Sequence, residues 1–103
     1  MDFSFTQPDN EDMAPPEENK WKEIGDRLRT VRAALDLSQV DICRILEVDT
    51  SRWNHWESGK NKPDVTIMSE LARRYGVTLD YIYLGDMRLL PYEIAGKLHK
   101  AAL

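Results

Sequence analysis

The stretch "LSQVDICRILEVDTSRWNHWESG", residues 37–59, decides the fold of this chain. Ser38 followed by Asp41 is a Ser-x-x-acid pattern, in which hydroxyl and carboxylate each satisfy a backbone N–H left orphaned at a helix start. Ile42, Cys43 and Leu46 then form a short apolar stripe, so the spacing predicts a helix over 39–46. After Glu47 and Val48, Asp49 can cap a further helix over 50–58, and Gly59 suits a left-handed exit. In that second helix Trp53 and Trp56 lie three residues apart, which at about 100° per residue sets them within about 60° of each other. Both rings are expected to face a core. The opposite face falls on Ser51, Asn54, His55 and Ser58, with Arg52 on its flank and Thr50 at the N-terminal end. Stacking of the rings on single-stranded nucleic acid would require them to be exposed, which this pattern opposes.

Working outward, the 103 residues, 42% of them apolar, suffice for one compact domain with a modest core. Upstream, Trp21, Ile24, Leu28, Val31 and Leu35 recur at the helical period and predict a helix over 20–35, with Asn19 as a candidate cap. Downstream, Pro63 and Asp64 open a helix through Ile67, Met68, Leu71 and Tyr75, which Gly76 ends. Thr78 caps a brief helix through Leu79, Ile82 and Tyr83 to Gly85, and Pro91 opens a last one. No strand-like alternation persists, so the expected fold is all-α. Two short helices joined by a three-residue turn suggest a helix-turn-helix, with Cys43 as the small residue where the helices meet and Val48 as the apolar residue of the turn.

The net charge of −4 divides unevenly, into −6 for residues 1–19 and +2 for residues 20–103. The acidic arm also holds Pro8, Pro15 and Pro16 and has little to bury, so it reads as disordered or loosely docked. Two roles stay open for it: a solubilising tail, or a competitor of phosphate for the basic surface. Cys43, the single cysteine, cannot form an internal disulfide and has no zinc-site companions, which points to a reducing cytoplasm and to no metal. No apolar run reaches the roughly 18 residues of a membrane span, and the opening "MDFSFTQPDNED" is acidic where a secretory signal is basic. The sequence shows no nucleophile–base pair, paired carboxylates or glycine-rich phosphate loop, and His55 and His99 lack catalytic companions. Neither an enzyme nor a cofactor is expected.

Residues 24–86 carry, in order, "LSQ" at the opening of the 39–46 helix, "WESGK" at the end of the next, Pro63, and "GVTLDYIYLGD". In this order and spacing they resemble the bacterial and phage Cro/lambda-repressor type DNA-binding domain, the XRE family. The resemblance implies a lambda-repressor-like five-helix domain over 20–86, with helix 50–58 in the major groove of double-stranded DNA. It implies base contacts from Thr50, Ser51 and His55. Asn54 can pair bidentately with adenine, and Arg52 can take guanine or a phosphate. Gln39, at a helix N-terminus with its positive dipole end, is implied to hold a phosphate, and Ser58, Lys60, Asn61 and Lys62 are expected to flank the same groove. Arg27 and Arg29 are weaker candidates, more simply solvated.

The family also pairs an Arg on its first helix with a Glu at the end of its third, which implies a pair between Arg32 and Glu57. Glu47 departs from the pattern, since the family favours Gly there; a left-handed Glu47 would cost about 1–2 kcal/mol. Residues 87–103 add a C-terminal helix with Ile94, Leu98 and Leu103 along one side. Such proteins commonly act as two-fold dimers, and Tyr81, Ile82, Leu84 and this helix are the expected contact, setting two reading helices about 34 Å apart. The function implied is a sequence-specific transcriptional regulator, most simply a repressor on a near-palindromic operator. The alternative is an antitoxin or other protein-interaction module with the same fold.

Overall fold

Helix α1 (Lys22–Ala34) runs through the middle of the computed structural model, which describes residues 20–103. The acidic arm and the expected cap Asn19 lie outside the described residues. The N-cap position of α1 is Trp21, with no side-chain cap. Ile24, Leu28 and Val31 point inward from α1, one face of the expected stripe.

Helices α2 (Gln39–Leu46) and α3 (Thr50–Glu57) follow, joined by residues 47–49. At the start of α2 the Asp41 N–H donates to the Ser38 hydroxyl at 3.0 Å and the Ser38 N–H to the Asp41 carboxylate at 3.3 Å, completing the capping box. The Asp49 carboxylate accepts from the N–H groups of Ser51 and Arg52. Cys43 and Val48 are both buried where the two helices meet, and the Val48 N–H donates to the Cys43 carbonyl at 3.0 Å. Glu47 is left-handed at φ 56°. Its side chain is exposed, so the chain carries there the strain that glycine would avoid. A second left-handed residue, Asp36 at φ 59°, turns the chain from α1 toward α2.

Helices α4 (Val65–Tyr75), α5 (Leu79–Leu84) and α6 (Tyr92–Ala102) complete the fold; the side chains of Asp64 and Thr78 cap α4 and α5, and Pro91 precedes α6 without a side-chain cap. The chain is thus all-α, with five helices around a helix-turn-helix and one more at the C-terminal end; no strand occurs among the described residues. Leu28, Ile42, Met68, Leu71, Ile82 and Leu98 are shut off from solvent at its centre. No helix among the described residues is long and apolar enough to cross a membrane.

The C-terminal helix corrects one expectation. α6 packs along α1, burying Ile94 and Leu98 in the chain's own core. Tyr81 and Ile82 are buried there too, so these four side chains cannot meet a second copy. Burial of that stripe within one chain removes it from water without a partner. Leu84 and Leu103, by contrast, stay 74% and 93% exposed.

Candidate nucleic-acid interface

The geometry of α3 begins on its inner side. Trp53 and Trp56 are 1% and 2% exposed, their rings edge-to-face with centroids 5.7 Å apart. Glu57, one turn beyond Trp53, is only 3% exposed, and its carboxylate gathers three side chains. It accepts from the Trp53 indole N–H at 2.6 Å, from Arg32 at 2.7 and 3.1 Å, and from the Gln39 amide at 3.0 Å. Burial pushes the carboxyl up, but hydrogen bonds from Arg32, Gln39 and Trp53 and the charge of Arg32 outweigh it and hold Glu57 below its ordinary value. The same bond raises Arg32 against the desolvation that lowers it. The expected pair is therefore present, and it is the centre of a larger buried network.

Gly25 explains how close α1 and α3 come. A Cβ there would lie 2.5 Å from the carbonyl oxygens of both Trp56 and Glu57, so only glycine admits the crossing. Arg29 donates to the Glu57 carbonyl at 3.0 Å and so caps the end of α3. Arg27 donates to the carbonyls of Ile82 and Tyr83, at 2.9 and 3.2 Å, which ties α1 to the end of α5. Neither arginine is simply solvated, as the sequence suggested. Their roles depend on tertiary partners that no local pattern shows. An isolated glycine inside a helical period was the visible trace of the α1–α3 approach.

On the outer side Thr50, Ser51, Arg52 and Asn54 are exposed and His55 is half-buried, so the structure brings the five base-contact candidates to one surface. Ser51 donates its hydroxyl to the capping carboxylate of Asp49. Arg52 lies over the outer edge of Trp56, its guanidinium 5.1 Å from the ring centroid. Asn54 accepts from the Gln39 amide at 3.4 Å, which orients it from below.

Two expected phosphate contacts look different in place. The Gln39 amide nitrogen gives its hydrogens to Glu57 and Asn54, so this side chain braces α3 rather than pointing outward. Ser58 turns its hydroxyl back to the His55 carbonyl at 3.2 Å. The same carbonyl accepts from the N–H groups of Lys60 and Asn61, at 2.9 and 3.2 Å, which folds the loop against the end of α3. Lys60, Asn61 and Lys62 are exposed there. Lys20 and Lys62 place their ammonium groups 5.3 and 5.5 Å from the Trp21 ring centroid, adding a cation that sequence reading missed. The Lys-Trp-Lys run at 20–22 was its only local sign.

Comparison with known proteins follows the same lines. A family described as "Helix-turn-helix domain" matches residues 23–81. The Type II methyltransferase M.MspI of Moraxella sp is 29% identical over 73 residues, which make up 71% of this chain and 18% of that protein. The chain thus spans less than a fifth of the length of this curated relative. No solved structure matches.

Proposed function

The chain belongs to the helix-turn-helix domain family, and on that premise we propose that it is a sequence-specific transcriptional regulator of XRE type, which lays α3 in the major groove of double-stranded DNA. The observation that supports this reading is the two-sidedness of α3: its large side chains are buried and its short hydrogen-bonding ones face solvent. Thr50, Ser51, Asn54 and His55 are offered to base edges, and Arg52 to guanine or to a phosphate. Lys60, Asn61, Lys62 and Lys20 flank them for backbone contacts. At α2 the phosphate ligand is the backbone N–H of Gln39, in the first turn, because its side-chain donors are engaged.

In this reading the chain works in the cytoplasm by occupancy, as a repressor on a near-palindromic operator, with no catalytic step, cofactor or metal. The stretch shared with the methyltransferase is then a DNA-holding module. A two-fold dimer would use the apolar side chains left outside, Leu84, Leu89 and Tyr92, the last 94% exposed. The same exposed set also favours a second reading, a module that holds another protein, such as an antitoxin. That reading requires co-purification with a partner and loss of duplex binding without it.

Selection of bound duplexes from a random pool tests the proposal. An enriched motif with half-sites about 10 base pairs apart is expected. Alanine at Ser51, Asn54 or His55 should change it at defined positions. A pool that never enriches would overturn the reading.

A further inference from the structure

We propose that the acidic segment 1–19 docks on the cationic end of α3 and has to be displaced before a duplex can occupy that surface. The docking itself is independent of the proposed function; only the competition with a duplex depends on it.

The described chain enters the fold at this very end. The Trp21 N–H donates to the Gly59 carbonyl at 3.0 Å, and a Cβ on Gly59 would lie 2.7 Å from the Lys22 Cα. Trp21 and Lys22, near the start of the described residues, are therefore held where α3 stops. Around that point stand Lys20, Arg52, Lys60 and Lys62, and none of the four is in an ion pair with a described residue. Elsewhere, Arg29, Arg32, Arg44, Arg73, Arg74 and Arg88 each have a carboxylate partner. Of the seven described cations without a carboxylate partner among the described residues, these four stand where a segment of charge −6, with no Lys or Arg of its own, begins; Arg27 is held by the Ile82 and Tyr83 carbonyls, and Lys97 and Lys100 lie on α6.

Reach and room agree with this. Nineteen residues can extend about 60 Å, whereas α3 is about 12 Å long. Two clefts, of 420 and 550 Å³, share Tyr83 as a wall; Lys20 and Glu23 line one together with Lys22, which is paired with Asp26, and Arg52, Lys62 and Asp64 line the other. A tether this short holds the segment at an effective concentration of about a millimolar, so even a weak ionic contact is populated. Such a contact is screened by salt.

The test compares the full chain with one in which the segment is neutralised by D2N, D9N, E11Q, D12N, E17Q and E18Q. Without DNA, at low salt, the Trp21 indole N–H and the amides of Lys60 and Lys62 should shift in nuclear magnetic resonance spectra between the two chains. The Trp53 indole N–H, held by buried Glu57, should not. Identical spectra for residues 20–103 would overturn the docking. With a random-sequence duplex, the neutralised chain should bind about tenfold tighter at about 50 mM salt and converge with the full chain at higher salt. Equal affinity at low salt, or a tenfold gap with identical DNA-free spectra, would overturn the proposal; the latter would mean repulsion by net charge alone. Spectra that differ while neither chain binds any duplex would uphold the docking and overturn the function proposed above.

Discussion

The two faces of α3 are built by different physics. On the inner face each polar group has a partner: the Trp53 indole, Arg32 and the Gln39 amide all end on the Glu57 carboxylate. On the outer face Ser51 bonds to its neighbour Asp49 and Asn54 accepts a long 3.4 Å bond from Gln39, and with His55 they stand toward solvent with hydrogen-bonding capacity to offer. A helix of eight residues is too short to be firm by propensity alone. The outer face is steady because the inner face is, which makes the difference between them open to attack by substitution.

The largest expected effect is at Glu57. Glu57→Ala removes the shared acceptor and leaves Arg32 and the Trp53 indole without it, a loss of about 3–5 kcal/mol in chemical denaturation. A cost below about 1 kcal/mol would show that the buried network does not hold α3. The pH dependence carries a sign. Because the folded carboxyl lies below its unfolded value of about 4.3, its contribution is complete above that pH and fades as pH falls through the folded value. The gap between the wild-type chain and Glu57→Gln should therefore narrow in acid. A gap that widens would contradict the bonding described.

Gly25→Ala comes next. Its methyl would meet two backbone oxygens that cannot step aside, and about 1–3 kcal/mol should be lost although the substitution favours helix. Unchanged stability would mean that α1 and α3 do not approach so closely.

The outer face should respond in the opposite way. Asn54→Ala or His55→Ala should change stability by no more than about 0.5 kcal/mol. Binding to a selected duplex should weaken by about 1–3 kcal/mol for each base that is no longer read. Stability losses as large as those at Glu57 would erase the distinction between the faces. The smallest effect is expected at Lys62→Ala, which should weaken all duplexes alike and lower the salt slope by about 0.9. A change confined to one sequence would make Lys62 a reader of bases.

Much of the helix-turn-helix was legible because its signals are local. Ser38 with Asp41, Asp49 and Gly59 mark helix ends within a few residues, and the spacing of Trp53 and Trp56 gives their side without knowledge of the rest. Arg32 and Glu57 needed a family resemblance, since 25 residues separate them. The bond from Trp53 to Glu57 could have been suspected from their i,i+4 spacing. Arg27, Arg29 and Gln39 could not be placed, because each bonds to an element distant in sequence. The stripe of α6 was seen, but its period is the same whether it packs on α1 or on another chain. Asp36 gave no sign of its left-handed turn beyond being a residue type that tolerates one.

The most direct test of the central claim follows α3 by nuclear magnetic resonance as a selected duplex is titrated in. The signals of Thr50, Ser51, Asn54 and His55 should move most, with those of Lys60 and Lys62 behind them, while the Trp53 indole N–H stays with Glu57. A duplex that binds but moves chiefly α6, or that releases the Trp53 indole from the interior, would contradict it.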